Sequence, residues 1–431
     1  MTRLTDVPLT HLHAGSLSPA SLPRPPHPAQ ASIETVSTII EEVRLRGDDA
    51  VLEYGRTFDG VTPSPYIYEP KDLRHALDEI DTELASALAR ARDRVADLAR
   101  DELPLPTHRI SDGIAVSSKW VPVDRAGCYV PGGKARYPSS VIHTAMFAKV
   151  AGVPFVVVAT PPQADGTVDS ATLAAASLVG VDLVLAAGGA QAVGALAYGT
   201  QSFPPVDVIA GPGNLYVSLA QRLVANRVGV PSAFAGPSEV AVVSGPPTPP
   251  EFAAIDIAVQ AEHGPDGLAW LITWDDDYGD RVTKALENIV LSTPRHAQIA
   301  QTLSTGGFHA HVRDRTQALE VIEIIAPEHL ELLYPEGRQD AEKVSCAGAI
   351  FVGENGTAAW GDYVAGPSHV LPTHQSARFG SVLGAKDFLR HIHTVEVMDD
   401  YDRSLAKAAI TLAESEGLAA HGESIRLRDN R

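Results

Sequence analysis

From Gly127 onward, short apolar runs alternate with stretches of helical length, and no other feature of this sequence restricts the possible folds as tightly. The runs at 155–159, 181–186, 206–210 and 239–243 have strand length and are bounded by turn-forming residues. Between them, 139–152, 170–180, 190–198 and 215–226 read as helices. A chain that passes repeatedly from strand to helix to strand builds a parallel sheet with helices packed on its faces. The pattern continues with a helix at 251–263, a strand at 268–273, a helix at 278–291, a short strand at 309–312 and a helix at 316–325. The prolines Pro246, Pro247, Pro249 and Pro250 mark an expected seam between two such halves.

Upstream, residues 34–54 place Val36, Ile39, Ile40, Val43, Val51 and Leu52 at helical intervals, interrupted by Gly47-Asp48-Asp49, so two helices are expected. Residues 82–100 step Leu84, Leu88, Ala91, Val95 and Leu98 along one face of an amphipathic helix. The tail, 387–426, differs in kind: an expected strand at 393–398, a helix at 404–416 and a final histidine-bearing segment. The expected fold class is α/β, with two Rossmann-like parallel-sheet domains and small N- and C-terminal segments. By residue, this means an extension at 1–30, a first α/β domain at 31–126 with 245–385, a second at 127–244, and a small C-terminal domain at 386–431.

A chain of 431 residues with 45% hydrophobic content is long enough to bury more than one core. Its 53 acidic against 34 basic residues, a formal charge of −19, oppose binding to nucleic acid or to an anionic membrane and favour small-molecule chemistry. The two cysteines, Cys128 and Cys346, make neither a disulfide framework nor a CxxC metal site, which fits a reducing, cytoplasmic setting. Residues 1–30 lack the apolar core of a signal peptide, and the weakly polar stretch 183–198 contains Gln191 and three glycines, so no membrane span is expected.

The segments that could carry chemistry are individually weak. Gly188-Gly189-Ala190-Gln191 and Gly211-Pro212-Gly213-Asn214 each follow an expected strand and open a helix, where backbone N–H groups can meet an anion, yet neither is a G-x-G-x-x-G fingerprint. Tight turning alone would also explain those glycines. Gln260 and His263 are i, i+3 neighbours at a helix end stopped by Gly264-Pro265; they could be metal ligands, or His263 could merely complement the helix dipole. Glu328 and His329 put side by side the two side chains best able to move protons near neutral pH, although a first helical turn opened by Pro327 with an exposed His329 is the commoner fate of such a pair. Asp362, His369 and the distant His421 complete a scattered set of nitrogen and oxygen donors suited to zinc.

Taken together and in order, these segments are specific. Tyr129-Val130-Pro131-Gly132, Tyr137-Pro138-Ser139-Ser140, Gly188 to Gln191, Gly211 to Asn214, Gly236-Pro237-Ser238-Glu239, Gln260 to His263, Ala326 to Leu330, Gly348 to Phe351, Gly361-Asp362-Tyr363, His369 to Thr373 and Glu416 to His421 resemble the ordered blocks of the histidinol dehydrogenase family, over about 34–426. The resemblance implies an enzyme that oxidises L-histidinol twice, through histidinal, to L-histidine, with NAD as hydride acceptor, in the final steps of histidine biosynthesis. It implies a zinc ion in each subunit on Gln260, His263, Asp362 and His421. It further implies proton transfer by Glu328 and His329, substrate contacts from Ser238, His369 and Glu416 as well as the ligand set and His329, and cofactor contacts from Tyr129, Gln191 and Asn214. An intertwined homodimer is implied, in which the C-terminal segment with Glu416 and His421 completes the partner's site. The chain departs from the family pattern at Val230-Pro231-Ser232 and at His143, where an apolar residue is usual. Paralogues that oxidise other polar alcohols, such as a sulfopropanediol, share the same frame.

Overall fold

The computed structural model describes residues 9–22, 30–132, 136–231, 237–264 and 266–429. The proline cluster at Pro23 to Pro28, Ser232 and Pro265 lie outside them. The strands are β1 (Thr10–His13), β2 (Ile67–Tyr68), β3 (Thr107–Ser111), β4 (Ile114–Pro122), β5 (Arg125–Tyr129), β6 (Phe155–Thr160) and β7 (Leu183–Ala186). They continue with β8 (Val208–Ala210), β9 (Glu239–Ser244), β10 (Leu268–Thr273), β11 (Gly307–His311), β12 (His329–Leu333), β13 (Ala349–Val352) and β14 (Leu389–Val397). The chain forms two units: residues up to Glu102 with Val123–Phe388, and Leu103–Pro122 with Leu389–Arg431.

The first unit holds two sheets. One has the order β2-β7-β6-β5-β8 and is parallel except for β2. Around it lie α1 (Gln30–Arg46), α2 (Asp48–Phe58), α3 (Pro70–Glu79), α4 (Thr82–Asp101), α5 (Pro138–Val150), α6 (Ser170–Val179), α7 (Gly189–Tyr198) and α8 (Leu215–Val224). Val36, Ile39, Ile40 and Val43 of α1 share one core with Val157, Leu185, Leu196 and Ile209. The helices between 30 and 101 therefore belong with this sheet, whereas 31–126 was expected to join 245–385. Periodicity identifies a helix's buried face but carries no information on which sheet that face meets.

The other sheet is wholly parallel in the order β1-β11-β10-β9-β12-β13. β9, β10 and β12 are buried at every position, as befits strands covered on both faces. Val240 and Val242 point into a core with Ile257, Leu271 and Tyr278, while Ala241 and Val243 point into another with Trp270, Ile322 and Leu332. The covering helices are α9 (Pro250–Ala261), α10 (Asp276–Ser292), α11 (His296–Gly306), α12 (Arg315–Ile325) and the short α13 (Gly337–Ala341) and α14 (Ala358–Tyr363). Because β9 pairs with β10 and β12, the seam falls before it and not at Pro246 to Pro250. Those prolines instead lead into α9, with Pro250 at its first helical position, where a missing N–H costs nothing. β1 also joins this sheet, so part of the expected N-terminal extension belongs to a core.

In the second unit, β14 pairs antiparallel with β4, and β4 with β3. α15 (Arg403–Ser415) and α16 (Ala419–Asp429) pack on each other. The expected tail strand and helix are present, but the tail pairs with residues 103–122, which local pattern did not link to it.

Candidate active site

At the carboxyl ends of the five-stranded sheet the turns after β5, β6, β7 and β8 surround a cleft of about 890 Å³. This is where ligands bind in open parallel sheets. Tyr129, Gln191 and Asn214 all line it. The buried Tyr129 hydroxyl accepts a hydrogen bond from the Gly189 N–H at 3.1 Å, and burial pushes its pKa up to about 12. Gly189 has φ +65°, and a side chain there would strike the Gln191 amide, so the turn requires glycine. The Gln191 Oε1 is buried without a hydrogen-bond partner among the described residues. Asn214 caps α8 by accepting from the N–H groups of Tyr216 (3.0 Å) and Val217 (3.1 Å). Two helix starts and an unsatisfied carboxamide oxygen thus face one cleft of dinucleotide size, which fits NAD.

The candidate proton-transfer pair, Glu328 and His329, lies at the opposite kind of edge, the amino ends of β9 and β12. His329 is the first residue of a fully buried strand, not the exposed residue of a helix start, and Glu328 precedes it with 5% exposure. One Glu328 carboxyl oxygen, Oε2, accepts from the Glu239 N–H at 2.8 Å and lies 3.5 Å from His329 Nδ1. Nδ1 also faces the Glu239 carbonyl at 3.2 Å. A carbonyl can only accept, so Nδ1 carries the proton and Nε2 of the neutral ring holds the lone pair. Burial lowers the His329 pKa, but the adjacent Glu328 carboxylate, with Asp362 and the Glu239 carbonyl, more than offsets this and raises it to about 9. Gly348 permits the arrangement, since a side chain there would meet the Glu328 carbonyl at 2.5 Å. Ser238, half-buried, immediately precedes Glu239 at the same edge.

Gln260, the last residue but one of α9, has 4% exposure, and its Nε2 is buried without a hydrogen-bond partner among the described residues; His263, just beyond the helix, is exposed. Asp362 sits in α14. His369 donates from Nδ1 to the Asp362 carbonyl (3.2 Å), and its Nε2 accepts from the Ser140 hydroxyl (3.0 Å), which fixes a neutral ring. Burial, then the neighbouring His143, and also His329 and His263, push its pKa well down. His143 stacks on it at 4.4 Å and faces the Pro367 and Tyr363 carbonyls at 3.0 and 3.3 Å. The charges of Asp362 and His263 are thus felt at His329 and His369, so these groups share one neighbourhood. Among the described residues no three His, Cys, Asp or Glu side chains converge as a metal cage. The donor types nevertheless suit zinc, to which Gln260 would offer its amide oxygen, since the amide nitrogen only donates. Glu416 and His421 belong to the second unit, where Glu416 closes α15 and His421 lies in α16, both exposed.

Three residues of this neighbourhood were not singled out from sequence. Glu239 holds both Glu328 and His329 through its backbone, and Ser140 fixes His369. Glu331, fully buried in β12, binds the Ala358 N–H. Ser140 and Glu239 each had a signal, as members of the Tyr137 to Ser140 and Gly236 to Glu239 blocks, but neither the hydroxyl role of the one nor the backbone role of the other can be read from a block.

Comparison with known proteins agrees with this geometry. The family model described as histidinol dehydrogenase matches residues 22–429. This chain belongs to the histidinol dehydrogenase family. It is 43% identical over 407 residues to the histidinol dehydrogenase of Burkholderia lata, covering 92% of each chain. Over 397 residues it is 40% identical to that of Gloeobacter violaceus, covering 91% of this chain and 89% of the relative. The crystal structure of histidinol dehydrogenase from Elizabethkingia anophelis superposes with a TM-score of 0.92 at 28% identity, covering 97% of this chain and 98% of that one. The protein is therefore an oxidoreductase of an α/β fold, acting on a small molecule. Among the described residues no helix is long and apolar enough to cross a membrane.

Proposed function

We propose that this chain carries out the zinc-dependent, NAD-linked oxidation of L-histidinol to L-histidine through histidinal, in the cytoplasm. The observation that carries the reading is the buried Glu328–His329 pair, whose Nδ1 is tied to the Glu239 carbonyl so that Nε2 is the proton acceptor. Gln260, His263 and Asp362, with His421 from a partner subunit, would hold the zinc, which supplies Lewis acidity and orients the amine and imidazole of the substrate. NAD in the cleft of Tyr129, Gln191 and Asn214 would supply the hydride acceptor.

His329 takes the alcohol proton. Glu328 has Oε2 engaged by the Glu239 N–H, which leaves Oε1 to take a proton from the water that adds to the aldehyde. His369, held neutral, offers the substrate a ring whose orientation Ser140 and Asp362 fix. Ser238 and Glu416 complete the substrate contacts. The decisive experiment is NADH formation by purified protein with L-histidinol, with and without a chelator. Chelator-sensitive turnover is expected, and absence of turnover on histidinol would overturn the reading.

A homodimer with shared sites follows from placing Glu416 and His421 in the partner's site. It is supported by the apolar residues Val395, Val397, Leu412, Leu418 and Leu427 that the second unit leaves exposed. Mixing His421→Ala with His329→Ala chains should restore about a quarter of wild-type activity, because half of randomly formed dimers are mixed and each holds one intact site. A second reading, oxidation of another small polar alcohol such as a sulfopropanediol, draws on His143, whose ring lies against His369 where an apolar side chain is usual. A substrate profile separates the two.

A further inference from the structure

Three elements carry the first unit's candidate chemistry: α9 with Gln260, β12 led by His329, and α14 with Asp362. Each also contributes to a buried polar cluster that the proposed reaction does not use. Asp256, one helical turn before Gln260 and 7% exposed, accepts from the Thr357 hydroxyl at 2.7 Å. Thr357 in turn caps α14 by accepting from the Ala359 N–H. Glu331, two residues after His329 and wholly buried, accepts from the Ala358 N–H at 2.7 Å with Oε1. Its Oε2 is buried and meets no N–H or hydroxyl donor among the described residues. The Asp256 carboxyl is its charged neighbour: burial first, and then the Asp256 charge, push the Glu331 carboxyl well above the usual carboxylate range. Burial raises the Asp256 carboxyl as well, so the two acids sit together in a place that disfavours two charges.

The cluster therefore ties the start of α14 to α9 through Asp256 and to β12 through Glu331, one bond to the backbone and one to the capping side chain. α14 is a single short helix with Ala358 as its buried residue, so hydrophobic packing alone does little to fix it. We propose that Asp256 and Glu331 are positioning residues, a carboxyl pair that locks the helix bearing Asp362 against the helix that bears Gln260 and leads into His263, and thereby sets the geometry in which the metal is held. This rests on the reading of Asp362 and Gln260 as metal ligands. Outer groups that orient ligands in this way are worth 10- to 100-fold in metal affinity.

The test measures zinc affinity of the purified full-length protein by competition with a chromophoric chelator, beside its thermal midpoint. Glu331→Met removes the acceptor of the Ala358 N–H and the partner of Asp256, and should weaken zinc binding by about 10- to 100-fold. Glu331→Gln keeps the acceptor and gives Asp256 a permanent N–H donor, so it should restore affinity to within roughly twofold of wild type. Thr357→Val, a half-exposed site, removes only the hydroxyl and should fall between them; it decides the matter if Glu331→Met does not fold. Wild-type zinc affinity in Glu331→Met, or in Thr357→Val, would overturn the proposal whatever happens to the thermal midpoint. So would a loss in Glu331→Gln equal to that in Glu331→Met. Asp362→Ala is the control: if it too binds zinc as wild type does, the ligand reading fails, whereas loss there with none in the clip variants sinks the clip alone.

Discussion

The two sheets of the first unit present their candidate functional groups at opposite ends of their strands. The five-stranded sheet opens a cleft at the carboxyl ends, built from the turns around Tyr129, Gly188 and Asn214. The six-stranded sheet places Glu328, His329 and Glu239 at the amino ends of β9 and β12, with the first two under 10% exposed and Glu239 fully buried. The cleft consists of backbone turns and helix starts, which suit a large flexible cofactor. The amino edge consists of side chains locked by hydrogen bonds, which suit positioned proton transfer. A rule that looks only beyond the carboxyl ends of strands finds the first region and misses the second.

If this division of labour is real, damage at the amino edge should be far costlier than damage at the cleft. The largest effect expected is from metal removal: chelation, or His263→Ala, should abolish turnover yet leave a folded dimer, because the ligands come from elements of cores that already stand without them. Activity assays beside circular dichroism and sedimentation would check this, and full activity after chelation would refute the zinc assignment. Next comes Glu328→Gln, expected to slow oxidation of supplied histidinal by a factor of about 10² to 10⁴, since an amide cannot accept a proton from water, while sparing the alcohol step on its high-pH plateau, where His329 is deprotonated with or without the Glu328 charge. Equal slowing of both half-reactions in single-turnover measurements would leave Glu328 only its role in orienting His329.

How much of this could be read in the sequence depended on range. Strand Leu268–Thr273 was expected with its observed bounds, because a continuous apolar run of that length is a local signal. That Gly188 to Gln191 and Gly211 to Asn214 each end a strand and open a helix was legible too, because turn chemistry is local. β12 was hidden. Glu328, His329 and Glu331 break its apolar run, and only the structure shows that backbone donors from Glu239 and Ala358 make the burial of the two carboxylates tolerable. The grouping of elements into cores was also hidden, since nothing near Glu239–Ser244 records that its neighbours are Leu268 and His329. The family blocks named the candidate residues, but not the Glu239 backbone that orients them.

A pH effect of intermediate size follows from the His329 surroundings. As a base the ring works when deprotonated, so kcat/KM should rise with pH through about 9 and at pH 7 lie about a hundredfold below its plateau. Glu328→Gln removes the charge that raises this value, so the limb should move to lower pH. The sign for stability is the reverse. The folded-state value lies above the unfolded 6.5, so the protonated ring favours the fold, and its contribution is complete below about 6.5 and lost as pH rises through about 9. Thermal midpoints of metal-free protein across that window should fall more in wild type than in Glu328→Gln. A limb that stays put in the variant would show that Glu328 does not govern the ring.

The smallest effect is expected at the cleft, from Tyr129→Phe. The hydroxyl accepts one hydrogen bond, from the partly buried Gly189 N–H, and the ring itself packs in the core with Leu196 and Ile209. Phenylalanine keeps the packing and loses the acceptor, so the turn that opens α7 is loosened by about 1 kcal/mol, the net worth of one such bond. If the Gly188-Gly189 turn meets the cofactor, that loss should appear as roughly a fivefold rise in the KM for NAD, with kcat and the KM for histidinol little changed, because the bond is made equally in ground and transition states. A fall in kcat of the size expected for Glu328→Gln would break the comparison, since it would place Tyr129 among the groups that act on the reacting atoms and not among those that merely shape the cleft.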